Sequence, residues 1–453
     1  MNYPLWDVPM IGGGWVIGIT AIFHLLISQF AVGGGLYLAL AEQKALREGR
    51  RDWLEVIRLH SRFFLILTAV FGTVSGVGIW FAIGLANPEG TSALIHNFVF
   101  AWAIEWVFFL VELATVAVYY YTWGRISDRL HLQVGWLYAV ASFFTLFIIN
   151  GILSFKLTPG SEWLAVAGSG QEASRFWEAM FNPGFWPSLF LRMGICSSLA
   201  GVWALATCSR ISNDKPKLKE EFIQWTAKWL LPLFMTMPFL LAWYVHQIPE
   251  AQRVLFTLGV NTVAPGVFTM VTRMVVIILV SSITIMGVVY FIALRSPSDF
   301  KIPQAVVIVF LALTLVGSLE YTREMLRKPF IIAEHLYSNG VRTKAIERVN
   351  KDGYLKDTLW IRGGSKTSVA RGEAMYRGQC MSCHTVDGYR PTRTLLAGRD
   401  RAAIGSFLKV LHEHKPDSPY YRFMPPLVGT DDEVQALGDY LETLVPKTEN
   451  SFK

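Results

Sequence analysis

Gly12 to Leu40 reads GGGWVIGITAIFHLLISQFAVGGGLYLAL. The stretch contains no Asp, Glu, Lys or Arg, and only one side chain that titrates near neutral pH, His24, close to its middle. It exceeds the roughly 20 apolar residues an α-helix needs to cross a hydrocarbon core. A secretory leader is the competing reading. Met1 to Met10 carries no Lys or Arg, however, and the apolar run is too long for a leader, so the segment is expected to be a retained first membrane span.

Seven more runs of this kind follow, at 63–86, 98–122, 132–155, 187–208, 228–246, 265–294 and 303–322. The expected fold is an all-α membrane protein with an eight-helix transmembrane bundle. Composition agrees: 53% of the 453 residues are hydrophobic and 17% charged, too apolar for an ordinary soluble chain. The net charge of +7 does not point to nucleic acid as a partner, because most of the basic residues sit in short loops where membrane topology explains them. The lipid bilayer is the expected surrounding.

Counting Lys and Arg in those loops sets the orientation. Lys44, Arg47, Arg50, Arg51 and Arg58 follow the first run, Arg125 and Arg129 the third, Arg210, Lys215, Lys217 and Lys219 the fifth, and Arg295 and Lys301 the seventh. The alternate loops carry only Lys156, Arg175 and Arg253. With eight spans, both termini are expected on the outer face of a bacterial or archaeal cell membrane. The chain then divides into a bundle at 1–325, a linker at 326–366 and a water-soluble domain at 367–453.

In that last part Cys380, Met381, Ser382, Cys383 and His384 spell C-x-x-C-H, the attachment signal for a covalent c-type heme. Two intervening residues let both sulfurs reach the porphyrin vinyl groups while the imidazole turns under the iron. Met424, before Pro425 and Pro426, is the expected second axial ligand, with His412 and His414 as rivals. A redox or zinc-binding Cys pair is the alternative. A helix near Asp431 to Leu444 would close a small helical cytochrome c domain.

Ionisable groups inside an apolar bundle are expensive and mark candidate sites. His24 is one. Glu105 and Glu112 stand seven apart on one helix face, Arg273 lies in the seventh run, and Glu320 and Glu324 sit at the outer end of the eighth. With no pyridine-nucleotide fingerprint, these fit heme or metal ligation and a proton path, although a lone His or a Glu pair can also be structural. Cys196 and Cys208 read as small packing residues.

The motifs resemble subunit I of the cytochrome bd-type oxidases, in a short form fused to a class I cytochrome c domain. Ala21-Ile22-Phe23-His24-Leu25-Leu26 is similar to the family's A-x-x-H-F-L-F stretch, whose His binds a high-spin heme. Glu105 and Glu112, followed by Trp123-Gly124-Arg125, resemble its two-Glu helix ending in G-W-D-R. Asn150-Gly151 matches a family N-G, and Phe268 to Met274, with Arg273, resembles F-A-F-R-I-M. Glu324 with Arg327-Lys328-Pro329-Phe330 resembles E-x-x-R-Q-P-W, whose Glu binds the high-spin b heme.

The resemblance implies heme b and/or heme d in the bundle and a second helical membrane subunit. Two departures stand out. The family's long quinol loop is replaced by the short stretch His246 to Ala264. The low-spin heme's ligands are also displaced, with Met193 and Met274 near the expected positions and His246 as an outside candidate. The expected function is therefore an oxidoreductase that takes electrons from a periplasmic donor protein or cytochrome, or from quinol, through the c heme to the hemes at His24 and Glu324. Oxygen would be reduced to water there, with protons carried along Glu105 and Glu112. A membrane-anchored multiheme electron-transfer subunit without oxygen reduction is the alternative, and nitric oxide is an alternative substrate at the same pocket.

Overall fold

The computed structural model describes residues 5–212, 214–253, 267–361 and 367–446, with side chains from residue 270 onward in the seventh span. Eight helices are long and apolar enough to cross a membrane. We label them α1 (Gly13–Arg47), α2 (Arg51–Ala86), α3 (Pro88–Tyr121), α4 (Asp128–Phe155), α5 (Phe185–Cys208), α6 (Pro216–Gln247), α7 (Met270–Leu294) and α8 (Ile302–Arg327).

Helix ends obey local chemistry. Asn87 accepts a hydrogen bond from the Gly90 backbone N–H at 2.9 Å, and Pro88 occupies the first helical position of α3. The Ser127 side chain accepts from Leu130 N–H at the start of α4. Within α2 a π-helical stretch, Leu67–Gly72, shifts the ladder just before Ser75. Such insertions recur where a helix must turn a side chain toward a functional position.

Helix α1 is the centre of the bundle. Three successive glycines each meet a different neighbour: Gly33 lies against the Cys196 carbonyl of α5, Gly34 against the Phe64 ring of α2, and Gly35 would place a Cβ 3.0 Å from the Ala139 Cα of α4. Small residues let helices approach this closely in lipid, where packing rather than water exclusion drives association. The remaining helices pack in sequence around this core: α3 on α4, α5 on α6 and α8, and α7 on α8.

Helices α2, α3 and α6 each begin ahead of the expected apolar run, α3 at Pro88 rather than 98 and α6 at Pro216 rather than 228. The second helix begins at Arg51, not residue 63, because its first turns are amphipathic: Trp53, Leu54, Val56, Ile57 and His60 are buried while Arg51 and Glu55 face outward. Within the stretch expected as a linker, residues after α8 pack on the bundle. Strands β1 (Phe330–Ile332) and β2 (Leu336–Tyr337) pair antiparallel, Phe330 stacks on Tyr337 at 4.3 Å, and the Ala333 N–H donates to the Lys156 carbonyl at 2.9 Å. Strands this short leave no detectable periodicity in the sequence.

The C-terminal part is a small helical domain. It contains α9 (Ser368–Gln379), α10 (Arg401–Glu413) and α11 (Asp431–Leu444), packed around Met375, Tyr376, Ile404, Leu408, Leu437 and Leu441. Thr430 and Glu433 form a reciprocal capping box at the start of α11.

Candidate functional site

His24 lies half-buried in α1, and its Nδ1 stands 2.9 Å from Ser75 Oγ on α2. The Ser75 hydroxyl hydrogen is directed to the Phe71 carbonyl, so Ser75 Oγ accepts from His24 Nδ1–H. That fixes the tautomer with an unprotonated Nε2, the form that ligates iron. Gly76 keeps the ring's flank open, since a Cβ there would stand 3.4 Å from His24 Cε1. Neither Ser75 nor Gly76 was singled out from the sequence, because a Ser-Gly pair within an apolar run carries no motif.

On α3, Glu112 is buried beside Ser142 and Thr145 of α4, close enough to Glu105 for the two carboxylates to repel. The structure thus keeps the pair on one face, as their spacing predicts. Arg273 is exposed on the surface of α7 and is not brought to His24 or Glu324. Met193 packs in the cluster around Leu189 and Cys196. Met274 lies half-buried on α7, which packs chiefly on α8. His246 lines an open cavity of about 520 Å³ with Pro238, Leu241, Ala242, Val245 and Arg253. The connection at 254–266 and the side chain of Phe268 lie outside the described residues.

The C-terminal end of α8 is a charge cluster. Glu324 pairs with Arg327, with Arg323 Nη2 at 2.8 Å and with Lys156 Nζ at 3.9 Å. Glu320 pairs with Arg323 Nε at 2.8 Å and Arg192 Nη1 at 3.4 Å. Four cations therefore face two carboxylates, and Arg323 Nη1 and Arg327 Nε are buried with no hydrogen-bond partner among the described residues. Such a surplus fits an anionic group, since a buried donor left unpaired is costly. Lys156, Arg192 and Arg323 were not anticipated as a group, because they come from three helices distant in sequence.

The C-x-x-C-H loop sits directly above this end of the bundle. Tyr389 N–H donates to the Met10 carbonyl at 2.8 Å, Tyr389 meets Trp15 edge-on at 5.4 Å, and Arg377 pairs with Asp7 at 3.5 Å. Cys383 lies beside Ser338 and Lys328, four residues beyond Glu324. Burial pushes the Cys383 thiol up, but Lys328 and the Ser382 hydroxyl outweigh it and hold the group below its ordinary value. Cys380, buried with no such neighbour, is pushed up to about 12. Both cysteines are unpaired, as thioether attachment requires.

His384 Nδ1–H donates to the Arg390 carbonyl at 3.3 Å, again leaving Nε2 free, and burial lowers its pKa. His414 Nε2 is engaged by the Met424 carbonyl at 3.4 Å, whereas His412, with Nδ1 on the Leu427 carbonyl at 2.9 Å, keeps Nε2 free as His384 does. Met424 follows a turn closed by its N–H to the Tyr420 carbonyl at 2.9 Å.

The eight-helix bundle, with His24 on α1, Glu105 and Glu112 on α3 and a charge cluster at the C-terminal end of α8, belongs to the class of multi-pass helical membrane proteins. The family model for cytochrome bd terminal oxidase subunit I matches residues 14–247, and the chain belongs to that family. It is 24% identical over 180 residues to the cytochrome bd-II ubiquinol oxidase subunit 1 of Escherichia coli (strain K12), covering 40% of this chain and 35% of that protein. It is 25% identical over 168 residues to the cytochrome bd ubiquinol oxidase subunit 1 of Bacillus subtilis (strain 168), covering 37% of this chain and 35% of that protein. The chain thus spans about a third of the length of the curated relatives it matches. The bd oxidase from Geobacillus thermodenitrificans shares the fold, with a TM-score of 0.60 and 16% identity over 70% of this chain and 87% of that one.

Proposed function

We propose that this chain is a bd-type terminal oxidase subunit that accepts electrons through a covalent heme c and reduces oxygen to water at hemes in its bundle. The observation that carries the reading is the seat of the C-x-x-C-H loop, with Cys383 beside Lys328 and Ser338 at the outer end of α8. An electron arriving at the loop has the bundle's cationic end immediately below it.

In this reading Cys380, Cys383, His384 and Met424 would hold heme c. His24 and Glu324 ligate iron within the bundle, as heme b or heme d. When bound, these groups store electrons and supply the iron at which oxygen is reduced. Ser75 holds the His24 tautomer, and the unpartnered Arg323 and Arg327 nitrogens take an acidic heme substituent. Glu105 and Glu112 pass protons inward along α3. Arg273, Met193 and Met274 are left without a ligand role. The outward apolar faces of α3 and α7, with Phe100, Trp106, Val276 and Ile283, suit a second helical membrane subunit. The donor is a periplasmic cytochrome or similar protein rather than quinol, and the membrane is bacterial or archaeal with both termini outside.

The test is oxygen uptake by the purified protein supplied with either a reduced soluble c-type cytochrome or ubiquinol. The reading expects cytochrome-driven uptake that Cys383→Ala abolishes. Uptake driven by ubiquinol alone and unaffected by Cys383→Ala overturns it, and no uptake with either donor favours the electron-relay alternative.

A further inference from the structure

At the end of the bundle opposite the C-terminal domain, Glu42 of α1 and His131 of α4 form a pair that the redox chemistry above does not use. The two side chains are 2% and 4% exposed, and Glu42 Oε1 stands 2.7 Å from His131 Nδ1. His131 Nε2 faces the Tyr119 carbonyl at 2.9 Å. A carbonyl can only accept, so Nε2 carries a hydrogen. Two bare lone pairs at 2.7 Å would repel, so one proton also lies between Nδ1 and Oε1. The pair therefore keeps a shared proton whichever partner formally owns it.

The second carboxylate oxygen, Glu42 Oε2, is buried, and the buried Tyr119 hydroxyl lies beside the Glu42 carboxylate and interacts with it. Gly135 leaves the room in which they meet, since a Cβ there would stand 2.9 Å from Tyr119 Cε2 and 3.6 Å from Glu42 Oε2. Tyr119, Glu112 and Glu105 succeed one another every seven residues on one face of α3, at steps of about 10 Å. Between Tyr119 and Glu112 lie Tyr138, which donates to the Ala31 carbonyl at 2.9 Å, and the buried hydroxyls of Thr68 and Ser142 beside Tyr138. Buried polar groups strung along one helix face are where bridging waters reside. Outside the pair, Trp123 packs over the His131 ring at 4.1 Å, and the exposed Arg51–Asp128 pair lies at the mouth.

We propose that Glu42 is the proton-loading residue of the bundle, with His131 as its positioning partner and Tyr119 as the first relay toward Glu112 and Glu105. An incoming proton binds Glu42 Oε2 while the proton shared with His131 stays in place. It then leaves to the Tyr119 side, so one proton enters for each that departs. The inference rests on the oxidase reading for its destination, and electrons and protons then reach the hemes from opposite faces.

The experiment uses the full holoprotein in vesicles, with a pH dye on the face opposite the C-terminal domain. Proton uptake is followed as the hemes are reduced anaerobically by dithionite, and oxygen consumption is measured separately. Glu42→Gln and His131→Gln should each slow proton uptake at least about tenfold, with unchanged heme spectra. Tyr119→Phe removes the hydroxyl beside Glu42 and keeps the ring, so a packing role predicts wild-type uptake whereas the relay predicts slowed uptake. It also remains informative if the pair variants do not assemble. Wild-type uptake rates in Tyr119→Phe and in any assembled pair variant overturn the proposal. Absent oxygen consumption with Glu42-dependent proton uptake overturns the oxidase reading alone.

Discussion

The carbonyl oxygen of Ser382 lies 2.8 Å from the point where a side chain on Gly14 would begin. Ser382 stands between Cys380 and Cys383, the proposed heme-attachment cysteines, and Gly14 lies in the first turn of the helix that carries His24. The contact joins the proposed electron port to the proposed site of oxygen reduction through one helix. A Gly14→Leu substitution should push the loop off the bundle, at a cost of about 1–3 kcal/mol by overpacking. Heme c should remain attached, while reduction of the bundle hemes by a c-type donor slows. Stopped-flow absorbance resolves the two.

Cys383→Ala removes one of two thioether attachment points. The heme stain of the denatured chain on a gel should fall or vanish, while the spectrum of the bundle hemes persists. Undiminished staining would contradict a c-type heme at this loop.

His24→Ala should delete one bundle heme signal and leave heme c unchanged. Ser75→Ala should weaken the same signal without deleting it, because Ser75 only holds the ring's tautomer. Low-temperature absorption spectra check both, and an unchanged spectrum in His24→Ala returns the residue to a packing role.

Glu320 balances Arg192 and Arg323 where all three side chains are largely buried. Breaking a buried pair by removing one partner leaves an uncompensated charge and costs about 3–5 kcal/mol. Glu320→Ala should accordingly lower the melting temperature in detergent by several degrees. Glu324→Ala should do the same and also remove a bundle heme signal.

His335, in the turn between β1 and β2, has its pKa lowered to about 4 by burial, with Arg342 and Lys344 adding to the shift against Glu172. The folded protein thus holds this ring neutral where an unfolded chain, near 6.5, takes up a proton. Stability from this group is complete above about pH 6.5 and falls as pH drops toward 4, by at most about 3 kcal/mol. His335→Asn should flatten the acid side of a thermal-melting profile between those values.

The spans were legible because length and apolarity alone identify them. The start of α3 at Pro88 was missed by the run at 98–122: Asn87-Pro88 is a cap followed by a first-turn proline, a signal that hydropathy overlooks. What stayed hidden depends on helices meeting. Glu42 and His131 sit at the polar ends of their spans and look like loop residues until α1 and α4 pack together. Ser75 becomes meaningful only once α2 faces His24. Arg273 shows the reverse: a charge in an apolar run suggested an inward role, yet its side chain is on the outer surface of α7, a direction that a sequence with a weak polar face does not encode.

The most direct test of a c heme feeding an oxygen-reducing site is a dithionite-reduced spectrum of the purified protein with and without carbon monoxide, alongside a pyridine hemochrome assay. The account predicts a c-type signal that carbon monoxide leaves alone and a bundle heme band that it shifts. A spectrum of c- and b-type signals wholly indifferent to carbon monoxide would contradict it.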